Sequence, residues 1–178
     1  MTKNTNILFK ILQVITWIIF VGLCIEAGAI LVNFIYSLFK PSVVQYLYQK
    51  VDLSTLYHRS QWAYYGMYSF IIAIALLKAH LFYIVIRLIH KLDLAKPFNS
   101  YVSEQISQLS YYTFSIGLIS YIGRQTAKSL IHYGYDSSPL NPFWADSQAF
   151  ILMAAVIYVI AAIFAKGVEI QNENDLTV

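Results

Sequence analysis

An all-α bundle of four transmembrane helices, in one membrane domain over residues 1–178, is the fold that this sequence predicts. Hydrophobic residues make up 58% of the chain and charged residues 12%, whereas soluble domains contain roughly 45–50% and about 25%. Long apolar stretches, each near the ~20 residues that a helix needs to cross a bilayer, leave little chain for soluble segments. We place the four spans at about residues 11–39, 62–92, 106–133 and 146–166. The last of these reaches that length only by including the residues that flank its apolar run, 150–165.

The first span follows a short polar head and ends where Lys40 anchors the helix and Pro41 stops it. A cleavable signal peptide is the alternative, because basic residues precede an apolar core and residues 27–29 resemble a cleavage site. The apolar stretch continues past that site, and Glu26 interrupts the cleavage context. We therefore favour an uncleaved first span.

The loops on either side of the second span differ in length and character. Residues 42–60 form the first loop, where apolar residues recur at helical spacing and predict a short amphipathic helix on the membrane surface. These apolar residues are Val43, Val44, Leu47 and Val51. The second loop, residues 91–100, is brief, and Asn99 or Ser100 can cap the helix that follows. Glu104 would then lie in the first turn, where the helix dipole favours an acid.

The third span is the least apolar of the four, and we expect it to face other helices. It carries small and hydroxyl side chains, which let helices approach closely and hydrogen-bond to each other. These and the neighbouring amides are Ser107, Gln108, Ser110, Ser115, Ser120, Gln125 and Thr126. The loop that follows, residues 134–148, contains two prolines and no Lys or Arg, and its Asp136 and Asp146 are typical turn residues.

The distribution of Lys and Arg predicts the orientation, because these residues collect on the cytoplasmic side of membrane proteins. Arg124 and Lys128 lie near the outer end of the third span and reduce the excess of basic residues on the cytoplasmic side. With the N-terminus inside, the cytoplasmic side carries Lys3, Lys10, Arg87, Lys91, Lys96 and Lys166, and the outer side carries Lys40, Lys50 and Arg59. We expect both termini to be cytoplasmic, with residues 167–178 as a cytoplasmic tail.

Several functional classes lack support in the sequence. The formal net charge of +3 comes without a basic stripe, so we expect no direct binding of nucleic acid. Cys24 is the only cysteine, and no catalytic motif is present, so we expect neither an enzyme nor a thiolate metal cluster. His58 and His132 could meet near the outer face, but neither sits in a ligand spacing, and we predict no metal and no cofactor. We expect His80 to be a hydrogen-bonded interior residue.

Glu26 and Lys78 are the most specific candidate for a functional pair. Ionisable side chains within spans are energetically costly and usually face the bundle interior. At ~1.5 Å per residue, Glu26 lies roughly 24 Å along its helix from Lys10, and Lys78 roughly 20 Å from Lys91. Helical side chains lean toward their N-terminus, so these two would lean toward each other and form an ion pair. A structural pair that fixes helix register is the simpler interpretation, and a proton relay or transport role is the alternative.

Arg124 and Lys128 are four residues apart and share one face of the third span. The simpler interpretation is that both extend toward the outer lipid headgroups. The alternative is an anion or lipid-phosphate site, in which Arg124 reaches Glu26.

Two segments of the chain resemble a known family. Lys96, Pro97 and Phe98 precede a polar helix start, and residues 167–178 read Gly-Val-Glu-Ile-Gln-Asn-Glu-Asn-Asp-Leu-Thr-Val. In a plan of four spans over essentially the whole chain, these segments resemble the bacterial membrane family catalogued as domain of unknown function 2975. The tail is the more specific of the two. The resemblance implies a small inner-membrane protein without an assigned activity, whose relatives are often encoded beside small helix-turn-helix regulators.

The tail is the candidate partner-binding segment. A solvated end is the usual interpretation of such a sequence. In the alternative, the last helix continues through Gly167 and presents its side chains to a partner. The candidate residues are Glu169, Glu173, Asp175, Leu176 and Val178.

We predict a non-enzymatic regulatory or scaffold protein whose cytoplasmic face holds a soluble partner, such as a small helix-turn-helix regulator. The alternative is a small transporter or ligand-binding protein that uses the interior charges Glu26, Lys78 and Arg124. Membrane lipid is the other expected partner. Because four short spans enclose little volume, a homo-oligomer is also compatible with the sequence.

Overall fold

The computed structural model describes residues 3–47, 52–92 and 97–175, and within these ranges every regular element is a helix and none is a strand. The predicted all-α class is therefore confirmed. The elements in chain order are α1 (Lys3–Phe39), a 3₁₀ helix (Pro41–Tyr46), α2 (Ser54–Arg59), α3 (Gln61–Lys91), α4 (Ser100–His132), a 3₁₀ helix (Ser138–Trp144) and α5 (Ser147–Asp175).

In the described part of the chain, three segments are helical, long and apolar enough to cross a membrane. They are Ile7–Phe39, Gln61–Lys91 and Ser138–Glu173. They correspond to the first, second and fourth predicted spans. α4 is as long as these helices but less apolar, because serines, threonines and amides replace part of its apolar surface. Many of these polar side chains are buried, namely Ser103, Gln105, Ser110, Thr113 and Ser120.

The start of α4 lies several residues before the predicted residue 106. The Asn99 side chain accepts a hydrogen bond of 2.9 Å from the backbone N–H of Val102 and so caps the helix at its N-terminus. Asn99 is thus the cap that the sequence offered beside Ser100. Because α4 begins at Ser100, Glu104 lies in the second turn, and its predicted place in the first turn is wrong.

The end of α5 lies beyond the predicted residue 166. The helix continues through Gly167 to Asp175, as one of the two sequence interpretations proposed. A glycine within a helix costs roughly 1 kcal/mol relative to alanine, which packing must offset. The predicted boundary between span and tail at residues 166 and 167 therefore does not coincide with a structural boundary.

The long helices pack in chain order. α1 packs on α3, α3 on α4, and α4 on α5, with the most extensive contact between α4 and α5. In the described residues, no comparably extensive contact joins α1 to α5 or α1 to α4. The arrangement is thus an open row with α1 and α5 at its edges, and each edge helix leaves many large apolar side chains exposed.

Small residues explain why α4 and α5 pack so closely. A Cβ atom on Gly117 would lie 2.8 Å from Cγ1 of Ile151 and 3.0 Å from its backbone nitrogen. About two turns before this point, the buried Ser110 hydroxyl donates a 3.0 Å hydrogen bond to the carbonyl of Ala154. The prediction that the third span faces other helices through small and hydroxyl residues agrees with this contact.

Short elements cover one end of the row, which we call the capped end. The predicted surface helix of the first loop is wrong, because the segment folds into the 3₁₀ helix Pro41–Tyr46 and α2, and Val44 and Leu47 are buried in the core. Val51 lies outside the described residues. From the other side, Trp144 packs within 3.3 Å of where a Gly123 Cβ would be, and it is 1% exposed.

At the opposite end, which we call the base, α1 and α4 begin and α3 and α5 end. The predicted second loop and tail therefore lie at the same end of the molecule. Within the described residues, the loop contributes Pro97, Phe98 and Asn99, and α5 contributes its last turns.

Candidate functional site

The two segments that carried the family resemblance contact each other at the base. The Phe98 ring lies 5.2 Å from the Phe164 ring, centroid to centroid, on α5. A Cβ atom on Gly167 would overlap Cδ1 of the Phe98 ring and would lie 2.7 Å from its Cε1. Gly167 is therefore the place where the loop before α4 rests on α5, and a larger residue would displace the ring.

Beyond this contact, α5 continues as a helical segment that we call the acidic arm, residues 167–175. At ~1.5 Å per residue it extends about 12 Å past Gly167. Glu169, Ile170 and Glu173 are exposed on it. Lys166 donates to Glu169 Oε2 at 2.7 Å, an exposed pair one turn apart, and such pairs contribute at most about 1 kcal/mol.

The remaining predicted tail residues are only partly described. The backbone of Asp175 belongs to α5, but its side chain lies outside the described residues. Leu176 and Val178 also lie outside them. Their predicted role in binding a partner stays a prediction.

The structure does not bring Glu26 and Lys78, both of which it describes, into ion-pair contact. The Lys78 ammonium lies 5.8 Å from the centroid of the Phe150 ring, on α5, whereas Glu26 lies on α1. The Lys78 ammonium is thus placed beside α5, which makes no comparably extensive contact with α1 among the described residues. Both residues are half-buried. The predicted pair stays a prediction that this arrangement does not support.

Arg124 and Lys128 lie on α4 toward the capped end, where Arg124 is half-buried and Lys128 is exposed. Their position agrees with the predicted depth, and their ligand stays a prediction.

His80 is exposed, with its ring 4.5 Å from that of Tyr112, so its predicted interior place is wrong. No group of three or more metal-ligating side chains occurs among the described residues.

Sequence reasoning missed a clamp at the capped end. The guanidinium of Arg59 donates to the backbone carbonyl of Gly134 and, at 3.4 Å, to that of Tyr133. It also lies 4.6 Å from the centroid of the Tyr135 ring. Gly134 has a positive φ of 79°, which terminates α4 in a conformation that favours glycine. A glycine just after a helix is a readable signal of this turn, but nothing in the sequence names its partner.

Sequence reasoning also missed a cleft at the base. A cleft of about 270 Å³ lies between α1, α3 and α4 and is lined by Trp17, Ile86, Arg87, His90, Lys91 and Tyr101. The available signal was the spacing of Arg87, His90 and Lys91, which places three basic side chains on one helical face.

Two features define the class of this protein. Its described residues form helices of transmembrane length, and the edges of the row expose many large apolar side chains. It is an all-helical membrane protein. The chain belongs to the family described as protein of unknown function DUF2975, which matches residues 48–178. The resemblance seen in the loop and the tail is thereby confirmed.

The family match covers α2 to α5 and leaves α1 outside, so the expectation that the resemblance covers essentially the whole chain is wrong. Both segments that carried the resemblance lie inside the matched range. No curated protein and no solved structure matches the chain in the comparisons.

Proposed function

We propose that the protein crosses a bacterial inner membrane four times, with α4 as the third span and both termini in the cytoplasm. α4 has 33 residues, which at ~1.5 Å per residue corresponds to about 50 Å, enough to cross the ~30 Å hydrocarbon core. Its low hydropathy is compatible with a span because α3 and α5 cover it on two sides. The base would then be cytoplasmic, since it carries Lys91, Lys166 and the start of α1.

At this cytoplasmic base, the protein acts as a non-enzymatic regulatory or scaffold protein that holds a soluble partner. The observation that carries this proposal is the helical acidic arm, fixed to the loop by Phe98 and Gly167. A rigid helix loses less conformational entropy on binding than a disordered tail does. Glu169 and Glu173 give it an acidic character that complements a basic partner.

The partner that fits this chemistry is a soluble protein with a basic surface, and a small helix-turn-helix regulator is our candidate. Such a regulator carries basic side chains to bind DNA phosphates. An acidic helix at the membrane would compete with DNA for that surface and hold the regulator away from its operator. The family resemblance adds to this choice.

The experiment is a pull-down from native membranes and cytosol, read by mass spectrometry, with the full chain as bait. The comparison baits are a chain without residues 169–178 and the double variant Glu169→Gln with Glu173→Gln. Glu104→Gln is the matched control, because Glu104 is also an exposed carboxylate near the base but lies on α4. We expect one basic soluble protein to be captured by the full chain and the control and to be lost from the other two baits.

A captured set that is identical for all four baits would contradict the proposal. To separate regulation from simple adhesion, the captured protein is then tested for DNA binding with and without the full chain in detergent. We expect the full chain to weaken the regulator's DNA binding and the Glu169→Gln, Glu173→Gln variant to have a smaller effect.

The transporter hypothesis rests on interior charges, and no observation favours it over the first proposal. The described residues contain no ion pair between Glu26 and Lys78, and the described helices form a row. An interior cavity lined by Ile30, Tyr68 and Leu140 among others has about 10 Å³, room for roughly one water molecule. Loss of substrate flux in Lys78→Met at unchanged stability would revive this hypothesis.

A further inference from the structure

The cleft at the base is built from three helices that meet at one depth. Trp17 comes from α1, Arg87, His90 and Lys91 from the last turns of α3, and Tyr101 from the first turn of α4. Its volume of about 270 Å³ is close to the lower limit of roughly 300 Å³ for small-molecule sites.

The basic side chains of the cleft are held by one tyrosine. The Arg87 Nε–H donates a 3.1 Å hydrogen bond to the hydroxyl of Tyr101. The Lys91 ammonium lies 4.5 Å from the centroid of the same ring, on which it makes a cation–π contact. Tyr101 thus fixes two cations side by side at the mouth of the cleft, while both keep donors that the ring and hydroxyl do not use.

Among the described residues that line the cleft, none is acidic. Arg87, His90 and Lys91 are all exposed, and no salt bridge in the described residues involves them. Glu104, one turn after Tyr101, accepts a 3.3 Å hydrogen bond from Gln108 along α4. Lys10 lies seven residues before Trp17 and on the same face of α1, so it adds a further cation toward the base.

The wall behind these cations is apolar and aromatic. The rings of Trp17, Phe20 and Tyr83 form a chain of contacts, with centroid distances of 5.8 Å and 6.2 Å. Aromatic side chains of this kind mark the level of the headgroups in membrane proteins. Around Trp17, the neighbouring α1 residues Ile18 and Val21 are exposed. One side of the cleft therefore suits a phosphate, and the other suits acyl chains.

We infer that this cleft binds the headgroup of an anionic phospholipid, with Arg87 and Lys91 on its phosphate and with Trp17 and Ile86 beside the glycerol backbone. An amphipathic cleft at the end of the spans favours a lipid over a free anion, which would need only the charged side. The inference does not depend on the partner of the acidic arm. It places a specific lipid contact at the junction of α1, α3 and α4.

The test measures the local enrichment of phosphatidylglycerol around Trp17. The full chain carrying Trp62→Phe is reconstituted into vesicles of equal parts phosphatidylglycerol and phosphatidylcholine, and either lipid is supplied with brominated acyl chains that quench indole fluorescence. Trp62 is 87% exposed and is removed for that reason, whereas Trp144 is only 1% exposed. The ratio of the two quenching curves gives the preference for the anionic lipid at Trp17.

We expect phosphatidylglycerol to be enriched at least ~5-fold at Trp17, since each cation near an anionic surface contributes about 1 kcal/mol. The double variant Arg87→Gln, Lys91→Gln should lower that enrichment to near one. Lys91→Gln alone should lower it partly. Lys40→Gln, which removes one charge from an exposed lysine at the capped end, should leave it unchanged. Arg87→Lys should retain most of it, which separates lost charge from lost packing.

An enrichment near one in the Trp62→Phe protein, or an enrichment that the double variant keeps in full, would overturn the inference. Inorganic phosphate at constant ionic strength is the second arm. If it abolishes the enrichment as completely as the double variant does, the cleft is a site for soluble anions and the assignment to a lipid is wrong. If the double variant does not fold, the enrichment in Lys91→Gln is compared with that in Lys40→Gln. Equal values would overturn the inference.

Discussion

Gly167 lacks a side chain at the point where the ring of Phe98 occupies the adjacent space. A single hydrogen at this position lets the loop before α4 rest on α5, and the contact joins the two segments that identify the family. At this scale, the absence of a side chain at Gly167 determines whether the loop before α4 and the last turns of α5 form one continuous surface at the base.

Gly167→Ala should therefore destabilise the protein, although alanine favours a helix by about 1 kcal/mol. Overpacking against the Phe98 ring should cost about 1–3 kcal/mol, so we expect a net loss of stability of up to about 2 kcal/mol. The measurement is reversible unfolding in detergent, followed by circular dichroism. Gly28→Ala is the control, because a Cβ there meets nothing within 4 Å and should be neutral or stabilising. Equal effects of the two substitutions would contradict the account.

The same contact allows a double-mutant cycle. In a Phe98→Ala background, Gly167→Ala has no ring to displace and should become neutral or slightly stabilising. Residues in contact typically couple by about 0.5–3 kcal/mol. Additive effects of the two substitutions would show that Phe98 does not rest on Gly167.

At the same scale, a substitution of Arg59 tests how much the clamp at the capped end contributes to stability. Its planar guanidinium serves two carbonyls at the end of α4, a geometry that a lysine ammonium does not reproduce. We expect Arg59→Lys to lower the free energy of unfolding by about 1 kcal/mol, because the group is exposed and its hydrogen bonds compete with water. Lys128→Arg, a conservative change of an exposed cation on α4, is the control and should have no effect. An unchanged stability in Arg59→Lys would show that the clamp contributes nothing.

At the scale of helices, the α4–α5 contact depends on close approach rather than on apolar area. Gly117→Ala should cost about 1–3 kcal/mol, because its Cβ would meet both the side chain and the backbone of Ile151 and cannot be relieved by a rotamer change alone. Ser110→Ala should cost only about 0.6 kcal/mol, the typical value for one hydrogen bond between helices in membranes. Unfolding measurements that reverse this order would show that hydrogen bonding, not proximity, holds the two helices.

Helix existence and order were readable from the sequence because long apolar runs have one structural solution in a membrane. The polar residues of α4 correctly predicted a helix that packs against its neighbours through small and hydroxyl side chains. The ends of α4 and α5 were predicted less well. The Asn99 cap lies before the apolar run of α4 starts. α5 continues past the end of its own apolar run, where the Phe98 ring packs on Gly167. Neither effect is visible in hydropathy.

The candidate site was harder to predict than the fold. Glu26 and Lys78 were matched by depth alone, but which helix packs on which face of α3 is a tertiary property that depth does not determine. The clamp of Arg59 joins residues 75 apart in the chain. The cleft at the base needs α1, α3 and α4 together, so only the spacing of its three basic residues was present in the sequence.

At the scale of the whole molecule, the proposed function requires the acidic arm, the loop before α4 and the base cleft to face the cytoplasm together. This condition holds only if α4 crosses the membrane. The central claim is thus a topology of four spans, and the partner and lipid proposals both use it to place their sites.

Labelling of single cysteines in intact cells tests that topology most directly. In a Cys24→Ser background, the exposed positions Thr55, Ser100, Asn141 and Asn172 are changed to cysteine one at a time. A membrane-impermeant maleimide is then applied before and after permeabilisation. We expect the cysteines at positions 55 and 141 to be labelled in intact cells, and those at 100 and 172 only after permeabilisation. Labelling of positions 100 and 141 from the same side would show that α4 does not cross the membrane and would contradict the account.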